Sequence, residues 1–144
     1  MILLSPSGFI ALNELAKFLN VRRESIKRWA GCWFNDEGKI PDFPQPIKRG
    51  RRWTWRVGEI IDFLERRYSG GKMKRDQIRL EGLLKPTEVA DLAGVSLSTV
   101  RSWFYKGWLP YIRLSWSVVR VKKEDFMRFI EERETRGRLR KRKK

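Results

Sequence analysis

Histidine is absent from this 144-residue chain, cysteine occurs once, at Cys32, and acidic residues are outnumbered 17 to 33 by lysine and arginine. Without histidine there is no basis for Cys/His zinc fingers or for imidazole acid–base chemistry, and one cysteine cannot close an internal disulfide. Cys32, beside Trp33 and Phe34, reads as a small packed side chain rather than a reactive thiol. The acids are scattered along helical segments and are not clustered for a metal, so no catalytic residue, metal or cofactor is expected and the chain reads as a non-enzyme. Long apolar runs are also missing. Met1 to Leu4 meets Ser5 and Pro6 at once and has no basic leader, so neither a signal peptide nor a membrane span is expected, and the expected location is cytoplasmic and nucleoid-associated.

What is abundant is positive charge and aromatic surface. The formal net charge of +16 and a pI near 10.7 point to a polyanionic partner. Seven Trp and eight Phe supply buried area to a chain that must build cores in little space. The charge is also segregated. From Val95 to Lys123 there is no Asp or Glu, while Arg101, Lys106, Arg113, Arg120, Lys122 and Lys123 all fall there, which makes one face cationic. The last residues, 136 to 144, carry seven basic side chains and no acid, and their removal would take 7 from the net charge and leave +9.

An internal repeat organises the rest. LNELAKFLNVRRESIKRWA from residue 12 aligns with PTEVADLAGVSLSTVRSWF from residue 86 at a constant offset of 74. Glu14 falls on Glu88, Ala16 on Ala90, Val21 on Val95, Ser25 on Thr99, Lys27 on Arg101 and Trp29 on Trp103. In each copy apolar residues recur at helical spacing, break at Asn20 or Gly94, and resume. Those two residue types best tolerate the left-handed backbone of a sharp exit from a helix. Pro86 suits a first helical turn, Val89, Ala90 and Leu92 supply an apolar side, and Ser96 suits a cap for a helix over 97–105. That helix should turn Val100, Trp103 and Phe104 inward. Trp29, Phe63 and Phe129 read as core in the same way. After the first copy comes an irregular stretch, 31–46, with three prolines and a turn at Gly38-Lys39. Ile47 to Val57 then reads as a hairpin turning at Gly50, followed by a helix to about Arg67. A shorter hairpin, Tyr111 to Val121, precedes a helix from Lys123 to about Arg136.

Residues 83–133 resemble the excisionase-type helix-turn-helix domain of the MerR-like winged-helix superfamily. The resemblance is carried by Thr87-Glu88-Val89-Ala90, Gly94-Val95-Ser96, Ser98-Thr99-Val100-Arg101, Lys106-Gly107, Leu109-Pro110 and the closing Lys122 to Ile130. Residues 9–67 resemble it less closely, through Gly50-Arg51-Arg52, Trp55-Arg56 and the helix at Glu59 to Leu64. The implied fold is mainly α with small β-hairpin wings, as two tandem winged helix-turn-helix domains. The domains are read as 1–68 and 83–135, joined by a linker over 69–82 that carries one helical turn near Asp76 to Leu80, and followed by a basic disordered tail over 136–144. Fourteen linker residues could span at most roughly 45 to 50 Å, more than the ~34 Å between successive major grooves on one face of a duplex.

The resemblance places double-stranded DNA against the second helix and wing of each domain. The candidate contacts are Arg22, Arg23, Ser25, Lys27, Arg28, Lys48, Arg49, Arg51 and Arg52 in the first, and Ser98, Thr99, Arg101, Ser102, Tyr105 and Arg113 in the second. Arg136, Arg138 and Arg140 of the tail form a phosphate or minor-groove arm. Ser25 and Thr99 read either as groove hydroxyls or as helix-favouring polar positions. Trp116 stands where such wings usually have a basic residue, and reads as packing on the neighbouring domain or on a partner. The expected function is sequence-directed DNA binding by a monomer acting as a pseudo-dimer, with cooperative assembly on DNA left open. It would serve as an excisionase-like accessory factor beside a recombinase, or as a regulator on a mobile element. Transcriptional regulation, a packaging or partition adaptor and structural RNA binding are the alternatives.

Overall fold

The computed structural model describes residues 8–31, 39–71 and 82–142, with 135–142 as backbone only. Cys32, the turn at Gly38, the linker helix near Asp76 and most of the linker lie outside the described residues.

Each repeat folds as a short strand, two helices, a hairpin and a closing helix. In the first these are β1 (Phe9–Ala11), α1 (Leu12–Leu19), α2 (Arg23–Trp29), β2 (Ile47–Arg49), β3 (Arg52–Arg56) and α3 (Val57–Arg66). The second has β4 (Leu83–Leu84), α4 (Pro86–Ala93), α5 (Leu97–Tyr105), β5 (Ile112–Arg113), β6 (Val119–Lys122) and α6 (Lys123–Arg142). Both sheets are three-stranded and antiparallel, in the orders β1-β3-β2 and β4-β6-β5. Sequence reasoning missed β1 and β4, which are too short to show a period of two.

The helix-turn-helix geometry follows from the residues at the joints. α1 ends at Asn20 with φ 58 and α4 ends at Gly94 with φ 69, both left-handed. α5 begins where Ser96 accepts a hydrogen bond from the Thr99 amide at 3.3 Å. Leu12, Leu15, Ala16, Leu19, Ile26 and Trp29 are buried in the first head, and Val89, Ala90, Val100 and Trp103 in the second. Leu92 departs from the expected apolar side: it is 65% exposed. The proline-rich segment after α2 contributes to the core as well. Phe43 is buried edge-on against Trp29, Trp55 and Phe63, and Trp55 donates its indole N–H to the Pro44 carbonyl at 2.9 Å. Asp42 ties that segment to the end of α3 through Arg66 and Arg67. Burial alone would raise its carboxyl, but the bond and charge of Arg67 hold it below the ordinary value.

The two heads are in contact, so the reach of an extended linker does not set their separation. Leu83, Ile112 and Leu114 of the second half are buried in the apolar cluster of the first. Tyr68 bridges to Ile112 as a further antiparallel pair, with Ser69 N–H donating to the Tyr111 carbonyl at 2.9 Å and Arg113 N–H to the Arg67 carbonyl at 3.1 Å. The Tyr68 hydroxyl donates to Asp125 at 2.6 Å, and burial together with that bond raises its pKa far above the ordinary phenol. Arg120, counted from sequence among the cationic-face residues, is 9% exposed. Its guanidinium donates to the carbonyls of Leu19 at 3.1 Å and Asn20 at 2.8 Å, at the carbonyl end of α1 where a cation is favoured. Burial lowers its pKa and the charge of Glu88 opposes that shift. Glu88 in turn accepts from the Asn20 side chain and from the Lys85 amide, and Asn20 also donates to the Leu83 carbonyl at 3.1 Å.

α6 runs to Arg142, past the end near Arg136 expected from sequence, so residues 136–142 of the expected disordered tail are a continuation of the helix. Arg, Lys and Leu are good helix formers, and cations suit a helix carboxyl end. These terms offset the cost of about 1 kcal/mol for Gly137.

Candidate nucleic-acid interface

In the first head, helix and wing meet over one ring. Trp53 lies on β3 directly across from Lys48 on β2, and the Lys48 ammonium sits 4.7 Å from the indole centroid. Lys27 reaches the same ring from α2, at 5.4 Å. The half-buried indole therefore fixes two cations from two elements side by side. The wing turns through Gly50-Arg51, where Gly50 has φ 62, the left-handed value that a two-residue hairpin with glycine first requires. Arg49 and Arg52 face each other across that turn. Like charges directly opposite destabilise a hairpin. Arg22, Arg23 and Arg28 are exposed along α2, with Arg22 at the residue before it, and Ser25 is half-buried.

In the second head a hollow of about 480 Å³ opens between α5 and the β5–β6 wing, lined among others by Leu97, Arg101, Tyr105, Arg113 and Ser117. Arg101 and Tyr105 project outward as the helical spacing required, and Ser98 is exposed. Ser102 is half-buried, as is Phe104, which was expected inward and packs on Tyr111 at 5.2 Å. Thr99 is half-buried. Its hydroxyl lies 2.9 Å from Ser96 Oγ, within the helix cap. Arg113 donates to the Trp116 carbonyl at 3.1 Å. Trp116 is 93% exposed, so of the two roles read from sequence packing on the neighbouring domain is excluded and a contact with a partner stays open. Arg136, Arg138 and Arg140 lie on α6, beyond the residues whose side chains are described.

Across α2, α5 and the β2–β3 and β5–β6 hairpin strands the only acid is Glu24. Arginine, lysine and aromatic side chains on a helix and its adjoining hairpin, with Glu24 as the one carboxylate on these elements, make a surface suited to a phosphate backbone and to groove edges. Among the described residues no group of three or more His, Cys, Asp or Glu could hold a metal, and no helix is long and apolar enough to cross a membrane.

Fold and surface together define a tandem winged helix-turn-helix protein. The family model of the helix-turn-helix domain, of excisionase type, matches residues 12–68 and again residues 83–134. The chain belongs to that family and carries its DNA-binding domain twice. No curated protein and no solved structure matches it.

Proposed function

We propose that the protein binds double-stranded DNA in a sequence-directed way through both heads, and acts as an excisionase-like architectural or accessory factor on a mobile element. The observation that carries the duplex reading is the pairing of helix and wing cations in each head: Lys27 with Lys48 over Trp53, and Arg101 with Arg113 around one hollow. In this reading Arg22, Arg23, Lys27 and Arg101 enter the major groove, while Lys48, Arg49, Arg51 and Arg52 meet phosphates. The architectural part is supported by the contact between the heads. Two heads docked on each other present one fixed pair of surfaces, and a duplex that touches both must follow the shape they set.

Duplex binding should weaken steeply with salt, with a log–log slope of about −5 to −8 for roughly six to nine neutralised phosphates. Equal affinity for structured RNA at the same salt would contradict it. Excision reconstituted with the recombinase of the same element should depend on this protein. Recombination that proceeds unchanged without it, alongside repression of a nearby promoter, would move the assignment to transcriptional control.

A further inference from the structure

The second wing carries at its tip Ser115-Trp116-Ser117, and the indole is among the most exposed large apolar groups of the described residues. The hairpin beneath it is held on both edges. β5 pairs with β6 on one side and on the other is bonded to the Arg67–Ser69 stretch of the first head. Ile112 and Leu114 at its base are buried in the first head's core. The tip itself is closed by the Leu114 amide donating to the Val118 carbonyl at 2.9 Å, and Arg113 holds the Trp116 carbonyl. The hollow beside it is lined by Tyr105, 94% exposed, with Arg101, Arg113 and Ser117. The first head has no counterpart: its wing tip is Arg49-Gly50-Arg51, and its wing tryptophan, Trp53, is covered by two lysines.

We infer that Trp116 is a wedge that enters between two base pairs from the minor groove and kinks the duplex on which the second head docks. The inference rests on the duplex-binding reading above. Apolar side chains inserted at a base step unstack it and bend the helix away from the minor groove. Such insertion needs a support that does not yield when the step pushes back, and the doubly held hairpin supplies one. It also needs a partner that tolerates the surroundings of the indole, which are arginine and serine with no carboxylate between Val95 and Lys123. A polyanion fits that setting better than a protein surface. The most easily unstacked steps, TA and CA/TG, are the expected targets.

The test uses the full chain, its Trp116→Ala and Trp116→Phe variants, and duplexes carrying 2-aminopurine at successive positions, with end-to-end energy transfer to read bending. For the wild type one position should brighten several-fold and the ends should draw together. Trp116→Ala should bind yet lose both signals, and Trp116→Phe should keep part of each. A mismatch at the brightened step should tighten wild-type binding roughly tenfold, because the unstacking is already done, and leave Trp116→Ala unchanged. The exposed site should leave the melting temperature of both variants as in wild type. Bending and brightening that survive in Trp116→Ala, or wild-type binding with no brightened position, overturn the wedge while duplex binding stands. Failure of the wild type to bind any duplex overturns both.

Discussion

The two heads share a skeleton and differ in almost everything laid upon it. Position 20 and its counterpart 94 both exit a helix with a left-handed residue, but Asn20 is clasped by Leu83, Glu88 and Arg120 of the other head, whereas Gly94 is exposed. Lys27 and Arg101 occupy matching places, the first over an indole and the second beside an open hollow. One wing ends in arginines and the other in Trp116. The buried stripe is common to both because two helices can be held at a turn only by a limited set of apolar contacts. The surface is free to diverge, and in this chain it separates into a head with an arginine-tipped wing and a tryptophan-tipped head docked on its flank.

The largest effect should come from breaking the flank itself. Arg120→Ala takes a buried guanidinium from the Leu19 and Asn20 carbonyls and should cost about 2 to 4 kcal/mol in denaturant unfolding. It should also split a single transition into two as the heads uncouple. Next come the matched recognition positions. Arg101→Ala or Lys27→Ala should cost about 1 to 3 kcal/mol on the preferred site and relax specificity there, and equal losses on random DNA would assign those residues to phosphates. The turn residues sharpen the comparison at smaller scale. Asn20→Gly keeps the left-handed exit and the carbonyl held by Arg120 and loses the side-chain bonds to Leu83 and Glu88, for about 1 kcal/mol, while Gly94→Asn should stay within ~0.5 kcal/mol. Smallest per residue is the first wing: Arg51→Ala and Arg52→Ala should weaken binding alike on every sequence and each lower the salt slope by about 1.

The elements that local pattern controls were legible in the sequence: the helix starting at Leu97 after Ser96, the left-handed exits, the turn at Gly50, and the core tryptophans Trp29 and Trp103. Contacts between distant segments were not. Arg120 in a basic, acid-free segment reads as part of a cationic face, and only the three-dimensional placement of α1 buries it. Phe43 sits among prolines with no period to mark it as core, and β1 and β4 exist only because β3 and β6 offer them an edge. For the candidate site, sequence supplied the residues and the structure supplied their grouping. Lys27 and Lys48 come together because Trp53 stands between them. The Thr99 hydroxyl is engaged in a cap that its Ser25 counterpart, following Arg22, does not have.

On the proposed function, the two docked heads should read one duplex at a fixed spacing. Titration of the full chain on its site, and on the same site with five base pairs inserted between the half-sites, tests this directly. Half a helical turn of added twist should place one half-site on the far face and remove the gain from joined binding, roughly 100-fold or more. Affinity that is indifferent to the insertion would mean that the heads engage DNA independently and that their contact plays no part in recognition.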